Sequence, residues 1–152
     1  MYLIGIDPGF KGAWGIVDHH GNYIACGDML NDGKFIMASH IYREISQACM
    51  GYDKMIIVEA VHSMPKQGVA SSFKFGMAYG AAISIAQRFG DWQTVTPQKW
   101  KKEMGLTSDK ELSLKMAKEL FLNAPINKKK DVDKAEALLL AEYLRRKQYG
   151  HS

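Results

Sequence analysis

Four acidic residues stand where predicted chain elements begin or end. Asp7 closes the apolar segment that starts at Tyr2, and Glu59 closes a run of four apolar residues. Asp133 and Glu136 are three positions apart, so they share one face of a helix. Burying such acids is costly unless they are paired or bind a cation. If they converge, their oxygens suit hard cations such as Mg²⁺, and two ions about 4 Å apart activate water and stabilise the leaving oxygen in phosphodiester hydrolysis.

A simpler interpretation stands beside this one. Acids at strand ends often only meet solvent, and acids in a first helical turn complement the helix dipole. Convergence of the four carboxylates in space is what separates the two interpretations, and it is a three-dimensional property.

The elements that position these acids follow from hydrophobic periodicity and turn residues. Three short strands joined by tight turns predict an antiparallel meander, and later strands alternate with helices. The predicted order is strands at 2–7, 13–18 and 22–28, a helix at 36–50, a strand at 54–59, a helix at 71–88, a strand at 92–95, and helices from 97, 108 and 133. Ser71 or Ser72 is the expected cap of the long helix, and Thr96 with Pro97 opens the next one. This predicts a mixed α/β sheet in a single domain spanning 1–152.

Composition excludes several classes of protein. The 152 residues are 47% hydrophobic and 24% charged, which is typical of a globular chain rather than a disordered one. No run reaches the roughly 18 apolar residues of a membrane span, and the N-terminus lacks the basic region of a secretory signal. Two cysteines form no disulfide framework, so we expect a cytoplasmic protein. The net charge of +4 is compatible with a polyanionic partner.

Several motifs, in order, resemble one family. They are Ile4-Gly5-Ile6-Asp7-Pro8-Gly9, Val58-Glu59-Ala60-Val61 and Asp133-Lys134-Ala135-Glu136-Ala137-Leu138. This set is similar to the RuvC-type Holliday junction resolvases of the ribonuclease-H-like superfamily. Further segments, Gln67–Ala70, Phe75–Gly80 and Thr96–Lys101, resemble its phage branch. The resemblance implies a ribonuclease-H-like five-stranded sheet flanked by helices.

The resemblance also implies roles for individual residues. Asp7, Glu59, Asp133 and Glu136 match the family's metal-binding and catalytic carboxylates. Glu136 departs from the family pattern, which has aspartate there, and Asp131 is an alternative fourth ligand. His62 lies where the family places an aromatic residue near the junction centre, and it is either a base-stacking residue or a polar loop residue.

Basic residues follow the Glu59 segment, as binding to phosphates requires. The candidates for DNA contact, with His62, are Lys66, Lys74, Lys101, Lys102, Lys110 and Lys115. Lys110 is the first choice for the scissile phosphate, although lysines on helices are usually only solvated. We expect Trp100 and Phe121 in the core.

The function implied is a Mg²⁺-dependent endonuclease that resolves four-way and other branched DNA by paired nicks. Two ions are expected, with Mn²⁺ able to substitute, in a homodimer whose two-fold symmetry matches the junction. The small residues of the 71–88 helix serve either its packing on the sheet or that interface. A phage or prophage protein acting in bacterial cytoplasm is implied. The alternatives are a related nuclease acting on RNA and a non-catalytic module that binds branched DNA; an actin-like or sugar-kinase-like domain is disfavoured by the short chain.

Overall fold

A computed structural model describes residues 1–61 and 66–150. In chain order its elements are β1 (Tyr2–Asp7), β2 (Ala13–Asp18), β3 (Tyr23–Asp28), α1 (Ala38–Ala48), β4 (Lys54–Glu59), α2 (Val69–Gln87), β5 (Trp92–Val95), α3 (Pro97–Glu103), α4 (Lys110–Leu120), a 3₁₀ turn (Lys129–Asp131) and α5 (Val132–Tyr149). The strands form one sheet in the order β3-β2-β1-β4-β5. Strands β1 to β3 pair antiparallel, whereas β4 pairs parallel with both β1 and β5. The predicted mixed sheet with an initial meander is confirmed.

Each face of the sheet carries its own hydrophobic core. On one face α5 packs across β1 and β2, and α3 and α4 close that core around Trp100 and Phe121. Both aromatic side chains are buried there, as predicted. On the other face α1 and α2 cover the sheet through Ile41, Ile45 and the last turns of α2.

Glycine in the central strand lets α5 approach the sheet closely. A Cβ atom on Gly5 would overlap the carbonyl oxygen of Ala137 and lie 2.7 Å from the backbone nitrogen of Ala141. Helix α5 therefore lies almost backbone to backbone on β1. This contact fixes the beginning of α5 beside the end of β1.

Several predicted element ends are wrong by one to three residues. The capping prediction for the long helix fails, because α2 begins at Val69 after Gly68 and has no side-chain cap. The cap of α4 is Asp109 rather than Ser108, since the Asp109 carboxylate accepts the Glu111 N–H at 3.0 Å. Thr96 does cap α3, accepting the Lys99 N–H at 3.3 Å.

Two segments are more ordered than their polarity suggested. Ile36 pairs with Asn31 in an isolated bridge, so α1 starts two residues after it. The polar 123–130 segment buries Ala124 and Ile126 in the core of the α5 face. In the described part of the chain no helix is long and apolar enough to cross a membrane.

Candidate metal centre

Two parallel neighbouring strands bring the first two acids to the same edge of the sheet. Ile6 and Val58 are register partners in β1 and β4, and Asp7 and Glu59 follow them directly. Both carboxylates therefore leave the sheet side by side. The charge of Glu59 is close enough to raise the pKa of Asp7.

The third and fourth acids come from the first turns of α5, which Gly5 holds over β1. Asp133, Glu136 and Asp7 each place a carboxylate oxygen within 4.8 Å of the others. Asp7 and Asp133 are partly buried, and Glu136 is 4% exposed. The structure thus brings together three of the four predicted acids in one oxygen cluster, with Glu59 next to it.

Burial and mutual repulsion govern the protonation of this cluster. Burial, and then the charges of Glu59 and Asp133, raise the pKa of Asp7 well above its usual value. Burial is also the main reason that the pKa values of Glu59 and Asp133 are raised. Acids that resist ionisation at such separations need a compensating cation.

Glu59 is oriented by a buried indole. The Trp100 Nε1–H donates to the Glu59 Oε2 at 2.7 Å, and Trp100 is fully buried. This bond lowers the pKa of Glu59 against the larger effect of burial. It leaves the other Glu59 oxygen available toward Asp7.

Glu136 has three partners of its own. Lys101 Nζ lies 2.9 Å from its Oε2, and Lys110 Nζ lies 3.4 Å from its Oε1. The hydroxyl of Ser113, which is fully buried, donates to Oε2 at 3.1 Å. The acid that departs from the family pattern is therefore held by side chains of α3 and α4.

Lys110 faces the cluster from the side open to solvent. Its ammonium is 3.9 Å from Asp133 Oδ1, and its side chain is 59% exposed. Burial alone lowers the pKa of Lys110, but the neighbouring carboxylates outweigh it, so the pKa is raised. Lys110 stays charged beside the acids, where a scissile phosphate would also need a cation.

The alternative fourth ligand, Asp131, is engaged elsewhere. Its Oδ2 accepts the backbone N–H of Lys128 at 2.9 Å within the 3₁₀ turn. Among the described residues the oxygen cluster includes Glu136 and not Asp131. The geometry favours Glu136 as the fourth acid.

The remaining predicted DNA-contact residues are distributed around the centre. Lys74 lies beside Asp7 in a cleft under α2, and Lys102 lies beside Lys101 at the end of α3. Lys115 lines a separate groove on α4, and Lys66 is exposed just before α2. His62 lies outside the described residues.

Sequence reasoning missed two contributors to the site. Ser113 was not singled out, because an isolated serine in a helix gives no signal until its Glu136 partner is known. Phe10 was also missed, although it lies in the Pro8–Gly12 turn directly after the first acid, a position that alone was a usable signal.

The donor set fits a hard divalent cation. Every candidate ligand atom is a carboxylate oxygen, which is the chemistry that Mg²⁺ and Mn²⁺ prefer. The acids repel one another in the absence of such an ion, and they lie at an open edge of the sheet that a phosphate can approach. The residues that would hold the ion are Asp7, Glu59, Asp133 and Glu136.

Comparison with known proteins agrees with this fold. No family model and no curated protein matches the sequence. Among solved structures, T. thermophilus RuvC in complex with a Holliday junction substrate is similar with a TM-score of 0.70 at 18% identity, over 99% of this chain and 97% of that chain. A second T. thermophilus RuvC structure is similar with a TM-score of 0.67 at 19% identity, over the same shares. The resemblance to RuvC-type resolvases is therefore confirmed at the level of the fold, and the chain has the ribonuclease-H-like fold of RuvC.

Proposed function

We propose that this protein is a divalent-metal-dependent endonuclease that resolves four-way DNA junctions. The observation that carries the proposal is the set of carboxylate oxygens of Asp7, Asp133 and Glu136 within 4.8 Å of one another, on a fold that RuvC shares. One of the similar RuvC structures is a complex with a Holliday junction substrate, and we infer the same substrate class here.

The chain's own residues divide the work. Asp7, Glu59, Asp133 and Glu136 would hold Mg²⁺, with Mn²⁺ as a substitute, and two ions are expected. A bound divalent ion supplies activation of water and stabilisation of the leaving oxygen. Trp100 orients Glu59, and Lys110 places positive charge beside the phosphate. Water attacks phosphorus as the bond to the 3′ oxygen breaks, giving a 5′-phosphate and a 3′-hydroxyl.

A homodimer would match the two-fold symmetry of the junction. On the outer side of α2, Val69 is 89% exposed and Phe73 is 70% exposed. Gly76 and Gly80 lie near them on the same helix face, and a Cβ on either would meet open space. This apolar, flat surface supports α2 as the dimer contact. Sedimentation should give twice the 17.1 kDa chain mass, and Phe73→Asp should halve it.

The test of the function compares substrates and single acids. A four-way junction, a linear duplex and a structured RNA are incubated with Mg²⁺, Mn²⁺ or EDTA at equal salt, and product ends are mapped. We expect paired cuts in the junction only with metal. Preferential cutting of RNA would replace the DNA substrate by RNA.

Acid variants then assign the ligands. Asp7→Asn and Glu136→Gln should abolish cutting while keeping junction binding, whereas Asp131→Asn should cut normally. Cutting that survives Glu136→Gln but not Asp131→Asn would exchange the fourth ligand.

The ion pair between Lys101 and Glu136 favours a second candidate, a module that binds branched DNA without cutting it. An ammonium 2.9 Å from the acid satisfies the charge that a metal would otherwise balance. Wild-type protein that binds junctions but never cuts with Mg²⁺ or Mn²⁺ would establish this candidate. We further propose that the protein acts where branched DNA occurs inside a bacterial host and that it is phage-encoded, as the Phe75–Gly80 motif indicates.

A further inference from the structure

A cleft of about 360 Å³ adjoins the carboxylate centre on the α2 side. Asp7 and Asp133 form one wall, and the Pro8–Gly12 turn forms the floor. The first turns of α2 overhang it with Lys74 and Phe75. The cleft thus opens directly onto the position that a scissile phosphate would occupy.

Two aromatic side chains face this cleft. Phe75 is 42% exposed, and Phe10 is partly buried on the opposite side. Lys74 Nζ stands 4.4 Å from the centroid of the Phe10 ring, so a cation borders the apolar surface. Aromatic faces with a cation at the rim are what a nucleotide needs, a stacking surface for the base and a charge for its phosphate.

The floor of the cleft is rigid. A Cβ on Gly12 would overlap the carbonyl oxygen of Asp7, so the turn is tightly closed. The Asn31 side-chain amide donates to the Phe10 carbonyl oxygen at 2.7 Å and to that of Met29 at 2.9 Å. Phe10 is therefore held in place before any ligand arrives.

We propose that this cleft receives one unpaired nucleotide next to the scissile phosphate, with its base against Phe10 and Phe75 and its phosphate toward Lys74. The inference rests on the proposed function and specifies how the centre selects its substrate. The volume is that of a pocket for one small ligand and is too small for a stacked base pair. A base must leave the helix to enter, and the cost of leaving is least where it is already unpaired, as at a branch point. Junction preference then follows from the free energy of unstacking.

The test removes the base and the phenylalanine separately and together. An abasic nucleotide is placed in turn at each position flanking the mapped cut. Junction affinity is measured by fluorescence anisotropy with Ca²⁺ replacing Mg²⁺, and strand integrity is checked on gels. Wild type, Phe75→Ala and the control Phe35→Ala are compared; Phe35 is also exposed, at 59%, but does not line the cleft. Melting curves confirm that each variant is folded.

We expect one abasic position to weaken wild-type binding about 10-fold, which is about 1.4 kcal/mol, a normal value for base–aromatic stacking. Phe75→Ala should weaken binding of the intact junction by a similar factor, and the abasic change should then add less than 2-fold. Phe35→Ala should behave as wild type.

Two results overturn the inference. Abasic positions without effect in wild type, or effects of the base and of Phe75 that multiply in full, show that no base enters the cleft. If such junctions are still cut with Mg²⁺, the proposed function stands without it. A protein that neither binds nor cuts junctions removes both.

Discussion

Replacing Asp7 by asparagine should stabilise the metal-free protein while abolishing its activity. The change keeps the side-chain shape and removes one charge from a cluster whose oxygens lie within 4.8 Å of one another. At that separation each like-charge pair costs about 3 kcal/mol with an effective dielectric constant near 20. Partial protonation of Asp7 and the nearby ammonium groups reduce this cost, so we expect a net gain of about 1–3 kcal/mol. For a chain of this size the melting temperature should rise by about 2–10 °C in EDTA.

The pH dependence has a definite sign. Asp7 has a folded-state pKa raised above its ordinary value of 3.8, so the folded protein holds the proton more tightly than the unfolded chain. Stability of the metal-free wild type is therefore highest below 3.8 and falls as the pH rises through the raised pKa. Glu59 and Asp133 add slopes of the same sign. Asp7→Asn should flatten the slope.

Metal should reverse the order of stability. Binding at 100 times the dissociation constant stabilises the wild type by about 2.7 kcal/mol, and the variant lacks one ligand for it. The assay is thermal unfolding by circular dichroism in EDTA and in Mg²⁺, at two pH values, beside junction cleavage. Asp131→Asn is the matched control, since its carboxylate caps a turn outside the cluster. A variant that melts below wild type in EDTA, or equal stabilisation of both by Mg²⁺, would refute the reasoning.

Three further changes test other parts of the structure. Trp100→Phe removes the 2.7 Å donor to Glu59, and we expect about 1–3 kcal/mol of destabilisation with slower cutting, measured by melting and single-turnover cleavage. Gly5→Ala forces a Cβ into the α5 backbone, so the protein should lose more than about 3 kcal/mol of stability or fail to fold, as chemical denaturation would show. Lys101→Met leaves Glu136 short of a cation, so melting in EDTA should show a loss of about 2–4 kcal/mol that Mg²⁺ partly restores.

The strand-end acids were predictable because two simple rules meet there. A run of apolar residues ending in an acid marks a buried strand, and parallel strands bring their carboxyl ends to one edge. Asp7 and Glu59 follow from these rules alone. Placing Asp133 and Glu136 in the same cluster required knowing that α5 crosses β1, which the family resemblance supplied.

The parts that escaped prediction depend on contacts between distant residues. Nothing local in the sequence links Lys101 or Ser113 to Glu136, since the partners are 35 and 23 residues apart. The caps of α2 and α4 shifted because several polar residues compete at each start, and tertiary packing decides among them. Both kinds of information are absent from hydrophobic periodicity.

The two lysines at Glu136 link metal binding to DNA binding. Lys101 and Lys110 balance the acids in the metal-free protein, and both were predicted to contact phosphate. A divalent ion takes over the charge of Glu136, which weakens the hold on both ammonium groups. The released lysines then meet the phosphate that the same ion binds, so metal and DNA should each raise the affinity for the other. Because Glu136 extends one methylene further than the family's aspartate, it reaches lysines on both α3 and α4, and the departure from the family pattern accounts for this exchange rather than for a lost site.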